Sequence, residues 1–184
     1  SLFILMEAKT KKAITGCVNV KKNLKTHKML KVAFGESGIV FKLNNLKNKY
    51  AVKFSIADSY YNNNKMHPIN VENALLKKIE TLRKKEVSPH FNTFIGSSNC
   101  GLKSILDSFL KSGYVNSVTH NYILEQYRGF PKNSFYKIFF SDFVDGDLKS
   151  LIYANKKKKL PNNYVKVILF QVAYSLSVLQ YYIK

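Results

Sequence analysis

The sequence predicts an α+β fold in which strands and one main helix come first and further helices follow. Three short apolar runs separated by turn residues are typical of an antiparallel meander of strands, at residues 30–34, 39–43 and 50–56. After them, apolar residues recur with a helical period at positions 71, 75, 76, 79 and 82. With 184 residues, 46% of them hydrophobic, the chain can form one good core.

The remaining elements follow in order along the chain. Residues 1–28 are rich in lysine and only weakly periodic, which predicts an N-terminal extension. Residues 35–38 form the turn between the first two strands, and the main helix begins near Pro68 and ends before Pro89. The later predicted elements are a fourth strand at 91–95, a helix at 102–110, a fifth strand at 135–143, a short helix at 148–153, a solvated lysine run at 156–159 and a final helix to the last residue, capped by Asn162 or Asn163.

The charge is strongly basic, with a formal net charge of +19 at pH 7. Such a charge admits nucleic acid as a partner. However, Arg83 and Arg128 are the only arginines among 30 basic residues, and arginine is the preferred residue for forked phosphate and base contacts. Compositional bias of an AT-rich coding sequence together with a solvated surface is therefore favoured, with an acidic partner kept as the alternative.

The cysteines and histidines indicate no metal site. Cys17 and Cys100 show neither paired nor metal-type spacing, which favours a reducing compartment such as the cytoplasm. The four histidines are scattered. The apolar run at 2–6 is too short for a signal-peptide core. Polar residues interrupt the apolar segment 165–183, so a buried helix is favoured over a membrane span.

A glycine-rich turn is the first candidate for binding chemistry. Two glycines three residues apart let a backbone pass close to a bound phosphate, whose oxygens the exposed N–H groups can coordinate. A valine two residues beyond offers an apolar roof. The candidate binding residues here are Gly35, Glu36, Ser37, Gly38 and Val40. The alternative is an ordinary hairpin turn.

A lysine on the third strand and a glutamate on the main helix complete this candidate. Lys53 can reach the same phosphates, and Ala51 is a small residue on the same predicted strand. Glu72 lies nineteen residues after Lys53, at the start of the predicted helix, and Glu80 is the competing glutamate. The alternatives are a single surface lysine and a first-turn glutamate that the helix dipole favours.

Taken in order, these segments resemble a protein kinase. The pattern G-x-G-x-x-G-x-V is matched with Ala33 in place of the first glycine, and V-A-x-K is matched with Tyr50 in place of the valine. The run from Glu72 to Leu76 resembles the kinase E-x-x-[IL]-L. The resemblance implies that Lys53 pairs with the phosphates of ATP, that Glu72 holds this lysine in place, and that Ala51 leaves room for the adenine ring.

Residues 139–148 resemble the kinase hinge, which joins the two lobes. The resemblance implies that Ser141 is a small gatekeeper, that backbone groups of Asp142 and Val144 bond the adenine edge, and that Asp147 reaches the ribose hydroxyls. Taken alone, the segment is equally a strand followed by an Asp-Gly turn.

The resemblance covers about residues 30–184. It implies a five-stranded antiparallel N-lobe sheet with one main helix at 29–141, an insertion at about 97–134, and a hinge with the first helices of a C-lobe at 142–184. The H-R-D-type loop, the second metal-binding asparagine and the D-F-G aspartate are not in this sequence. A fragment is therefore expected, with the Mg²⁺ ligands downstream of it.

The implied activity of the full-length protein is transfer of the γ-phosphoryl group of ATP to Ser or Thr hydroxyls of a protein substrate. Three alternatives stay open: a basic module for nucleic acid or anionic surfaces, a pseudokinase scaffold, and a small-molecule or lipid kinase of the same fold. The composition and the insertion suit a large DNA virus or a parasite. The expected location is the cytoplasm, which for a viral protein means the host cytoplasm or the virion.

Overall fold

A computed structural model of the chain describes residues 14–26, 29–35, 38–45, 48–58, 60, 64–88, 90–111, 121, 125, 128–131, 133–144 and 161–183. Within them lie five strands: β1 (Met29–Gly35), β2 (Gly38–Asn45), β3 (Asn48–Ala57), β4 (Phe94–Gly101) and β5 (Phe135–Asp142). The four main helices are α1 (Cys17–Lys25), α2 (Pro68–Lys84), α3 (Leu102–Lys111) and α4 (Asn162–Tyr182).

The strands form one sheet in the order β1-β2-β3-β5-β4, and every neighbouring pair is antiparallel. The α+β class and the five-stranded antiparallel sheet are thus confirmed. The predicted first, second, third and fifth strands each lie within or overlap the observed ones, as does the main helix. The predicted helix at 148–153 and the lysine run at 156–159 fall outside the described residues.

The fourth strand lies later in the chain than predicted. The prediction ended it at residue 95, whereas β4 runs from Phe94 to Gly101 and pairs with β5 as far as Phe135. The run from Gly96 to Asn99 has low strand propensity, so only its pairing with the very apolar β5 makes it a strand. Of the segment 97–134, predicted as an insertion, residues 97–101 belong to the sheet and α3 follows at once.

The two faces of the sheet carry different helices. On the first, the α1/α3 face, side chains such as Phe41, Val52 and Phe140 pack with Leu24 of α1 and Phe109 of α3 in the larger hydrophobic cluster. The opposite side, the α2 face, carries a smaller cluster, whose buried members are Ala57, Ile69, Phe94, Phe135 and Phe139, with Leu76 against them. Alternation along each strand separates these two sets, as the strand period of two requires.

The segment predicted as an N-terminal extension contributes to the larger core. Ile14, Val20 and Leu24 are buried in it, and α1 packs against α3. Cys17 at the start of α1 forms a disulfide with Cys100 of β4, 83 residues away. Reading these cysteines as unpaired was therefore wrong, and with it the cysteine-based reason for a reducing compartment. Sequence spacing carried no signal because the pairing depends on α1 lying over the sheet.

Helix α4 differs from the buried helix that the sequence predicts. It begins at Asn162 after Pro161, with no side-chain cap, and Val178 is its one buried residue. Tyr174 donates a hydrogen bond through its hydroxyl to the backbone carbonyl of Val87 at 3.1 Å, so α4 touches the connection between α2 and β4. Among the described residues, no helix combines the length and apolar character needed to cross a membrane.

Candidate functional site

Lys53 and Glu72 form an ion pair between the centre of the sheet and α2. Lys53 Nζ lies 2.7 Å from Glu72 Oε1, and the two side chains are 24% and 33% exposed. Lys53 sits on β3, opposite Val40 of β2 and Phe139 of β5. Its ammonium is also 5.9 Å from the centre of the Phe139 ring. The structure thus brings together the lysine and the glutamate that the sequence singled out.

Packing of α2 places Glu72 at this position. The helix begins at Pro68, so Glu72 is in its second turn and not in the first turn that the dipole alternative requires. Ile69 and Leu76 pack against the α2-face cluster, which includes Phe139. Val71 and Leu75, predicted on the apolar face of the helix, are instead 45% and 40% exposed. The buried stripe of α2 is therefore rotated from the predicted one, and Glu72 lies beside it.

Glu80, the competing glutamate, has a different role. Its carboxylate accepts two hydrogen bonds from Arg83, at 2.9 and 2.8 Å, and one from the backbone N–H of Phe94 at 3.0 Å. Burial alone raises the pKa of Glu80, but the hydrogen bonds from Arg83 and Phe94 and the charges of Arg83 and Lys84 outweigh it, and the pKa is lowered. Glu80 therefore anchors α2 to β4 as a carboxylate.

The two glycines close the β1–β2 hairpin. Gly35 and Gly38 are paired at its end, while Glu36 and Ser37 lie outside the described residues. Gly38 has φ +141°, and a Cβ there would overlap the Phe54 carbonyl oxygen and lie 2.9 Å from the carbonyl carbon. The hairpin by itself therefore requires glycine at position 38, whether or not a phosphate is bound.

Small side chains line the α2 face beside Lys53. Ala51 is two residues before Lys53, about 7 Å along the strand, and it pairs with Lys42 on one side and Ser141 on the other. Lys42 Nζ lies 4.6 Å from the centre of the Phe143 ring. Val40, Ala51, Lys53 and Ser141 are all only partly buried. This part of the face is therefore open to a flat apolar group next to a cation.

Asp142, one of the predicted hinge residues, already has hydrogen-bond partners for its backbone N–H and carbonyl. Asp142 donates its N–H to the Thr93 carbonyl at 3.1 Å, and its own carbonyl accepts a hydrogen bond from Asn92 Nδ2 at 3.0 Å. One lone pair of that carbonyl therefore remains for a further hydrogen-bond donor. Val144 is 59% exposed. Asp147, the predicted ribose contact, lies outside the described residues.

Other polar contacts around the site were not predicted from the sequence. Ser97 Oγ donates to Asn73 Oδ1 at 2.8 Å, next to Glu72. Neither that contact nor the one between Asn92 and Asp142 has a signal in the local sequence, because each joins elements that meet only in the folded sheet. Within the ranges that the structure describes, no group of three or more His, Cys, Asp or Glu residues could hold a metal ion.

Comparisons with known proteins identify no family. No protein-family model matches the chain, and no curated protein matches it. The functional conclusion therefore depends on the geometry of the site.

Proposed function

We propose that this chain is the ATP-binding part of a protein kinase, and that the full-length protein transfers the γ-phosphoryl group of ATP to Ser or Thr hydroxyls of a protein substrate. The Lys53–Glu72 ion pair at 2.7 Å is the observation that carries this. A lysine on the third strand held by a glutamate on the following helix is the arrangement that protein kinases use for the phosphates of ATP.

The residues on the α2 face fit ATP in charge and shape. Lys53 is 24% exposed, so a phosphate oxygen can reach its ammonium while that ammonium stays close to Glu72. Val40 and Ala51 offer an apolar surface to the adenine ring, and the small Ser141 leaves space beside it. ATP supplies the phosphoryl group, whereas these residues bind and orient it.

The chain offers fewer partners for the adenine edge and for Mg²⁺ than for the phosphates. The Asp142 carbonyl keeps one lone pair for the adenine amine because Asn92 uses the other. The sequence after the hinge holds no H-R-D-type or D-F-G segment. We therefore assign no residue of this chain to Mg²⁺ or to the catalytic base.

The test is a thermal shift with a non-hydrolysable ATP analogue and Mg²⁺. Wild-type protein should show a saturable rise in Tm, as any ligand that binds only the folded state produces. Lys53→Ala should abolish it. Lys78→Ala is the matched control, because Lys78 is an exposed lysine of α2 and its loss removes the same charge. No shift in folded wild-type protein, or an equal loss in both variants, would count against ATP binding at this site.

A second candidate is a basic module that binds nucleic acid or anionic surfaces, which the net charge of +19 favours. Such binding weakens steeply with salt and does not respond to ATP. Titration of a DNA oligonucleotide at two salt concentrations, with and without the ATP analogue, distinguishes the two. A pseudokinase scaffold would show the same ATP-dependent shift in Tm. It differs from a kinase in that the complete protein would transfer no phosphoryl group.

A further inference from the structure

Two neighbouring residues of α2, Glu72 and Asn73, form hydrogen bonds to β3 and to β4, the two strands on either side of β5. The bonded strand residues, Lys53 of β3 and Ser97 of β4, both pair with Phe139, which therefore lies between them. Glu72 accepts a hydrogen bond from Lys53 at 2.7 Å, and Asn73 accepts one from Ser97 at 2.8 Å. Because neighbouring strands lie about 4.8 Å apart, the two attachment points are roughly 10 Å apart. Helix α2 therefore straddles Phe139.

A second attachment to β4 lies two helical turns farther along. Glu80 accepts a hydrogen bond from the backbone N–H of Phe94 at 3.0 Å. Asn73 and Glu80 are seven residues apart, which places them within about 20° of each other around the helix axis. Glu72 is displaced from Asn73 by about 100°. Contacts with β4 at two levels thus set the rotation of α2 that turns Glu72 toward β3.

The contacts to β4 include one that is better shielded from water than the ion pair. Glu80 is 12% exposed, against 24% and 33% for Lys53 and Glu72. Ion pairs as exposed as Lys53–Glu72 contribute little on their own. A carboxylate that accepts a backbone N–H and a forked guanidinium is held more firmly. Among the polar contacts of α2, those to β4 therefore hold the helix more firmly than the Lys53–Glu72 ion pair does.

We propose that Asn73 and Glu80 are positioning residues: their hydrogen bonds to Ser97 and to the Phe94 backbone hold α2 in the rotation that keeps Glu72 against Lys53. Loss of the Asn73–Ser97 contact lets the first turns of α2, which carry Glu72, shift slightly on the sheet, while Glu80 still holds the later part of the helix to β4. The consequence for nucleotide affinity rests on the function proposed above, whereas the consequence for the ion pair does not.

Carbodiimide coupling measures the ion pair without any nucleotide. The carbodiimide activates a carboxylate, and an adjacent amine then attacks the activated carbon and releases the reagent as a urea. An amide therefore forms between Glu72 and Lys53 only when the two side chains touch. Mass spectrometry of digested protein quantifies the joined peptides. In Ser97→Ala and in Asn73→Ala, the yield should fall about three- to tenfold, the range that one lost hydrogen bond corresponds to. Ser97→Thr keeps the hydroxyl and should restore the yield.

Ser98→Ala is the matched control. The Ser98 hydroxyl accepts a hydrogen bond from the backbone N–H of Gly16 at 3.1 Å, on the side of the sheet that carries α1. The same substitution one residue away therefore removes a hydrogen bond without touching α2, and should leave the coupling yield unchanged. An unchanged yield in both Ser97→Ala and Asn73→Ala would overturn the positioning role, as would an equal fall in Ser98→Ala.

The affinity for an ATP analogue, measured by calorimetry on the same variants, separates the two proposals. With the positioning role correct and ATP bound at this site, Ser97→Ala weakens binding about three- to tenfold and Ser97→Thr restores it. A wild-type protein that couples Lys53 to Glu72 but binds no nucleotide contradicts the proposed function and leaves the positioning role supported. If wild type binds the ATP analogue and Ser97→Ala binds it with the same affinity, the Asn73–Ser97 contact has no effect on nucleotide binding.

Discussion

Cys17 and Cys100 form a disulfide that joins the first turn of α1 to the end of β4. The bond closes a loop of 83 residues, and Lys53 and Glu72 both lie within that loop. In the chain-entropy model, closing a long loop stabilises the folded state by restricting the unfolded chain. The disulfide and the buried residues of α1 therefore stabilise the packing of α1 on the α1/α3 face of the sheet.

Replacing both cysteines, as Cys17→Ser with Cys100→Ser, should lower the free energy of unfolding by about 2–4 kcal/mol. Urea denaturation followed by circular dichroism measures the loss. A reductant should shift the wild-type midpoint toward that of the double variant and leave the double variant unchanged. Equal midpoints for oxidised and reduced wild type would show that the bond contributes nothing to stability.

Gly38→Ala should destabilise the protein in the absence of any ligand, by about 1–3 kcal/mol. The reason is that the added Cβ overlaps the backbone of Phe54 in a conformation with φ +141°. Gly101→Ala is the matched control, because a Cβ at Gly101 meets nothing within 4 Å. Thermal unfolding of both variants without nucleotide provides the comparison. If the two are equally stable, position 38 has no packing need for glycine.

The stability of the protein should depend on Glu80 in acid. The lowered pKa of Glu80 means that the folded state favours its carboxylate. Its contribution is therefore complete above the unfolded-state value, near 4.5, and is lost as the pH falls through the lower folded-state pKa. Urea unfolding across this range should show a steeper acid loss for wild type than for Glu80→Gln. Parallel curves would contradict the ionic role of Glu80.

Lys137 on β5 should be a site where removing a charge stabilises the fold. It is only 9% exposed, and burial, followed by the nearby charge of Lys77, lowers its pKa from the usual 10.5. The folded state therefore disfavours the ammonium, and this cost diminishes as the pH rises through the folded pKa toward 10.5.

Lys137→Met keeps the aliphatic stem and should raise the free energy of unfolding at neutral pH by on the order of 1 kcal/mol. The gain should shrink in alkaline solution, where the wild-type lysine is neutral. Lys103→Met, an exposed lysine of α3, should change stability by less than about 0.5 kcal/mol. A destabilised Lys137→Met variant would mean that the ammonium makes a favourable contact.

Local sequence patterns were enough for most of the strands and for the main helix. The apolar runs that become β1, β2, β3 and β5 and the period of α2 depend on neighbours two to four residues apart, and such spacings are visible in the chain. The choice of Lys53 and Glu72 as partners came from the order of motifs and their likeness to a protein kinase. Their contact at 2.7 Å agrees with that choice.

Other features were decided only by the tertiary structure. β4 lacks strand propensity between Gly96 and Asn99, and it forms because β5 offers an open edge. The burial of α1, the disulfide and the anchoring of Glu80 by the Phe94 backbone each join segments that are distant in sequence or belong to different elements. Local periodicity specifies which residues share a face of one strand or helix. Which faces meet depends on the sheet order, and that is settled only when the whole chain packs.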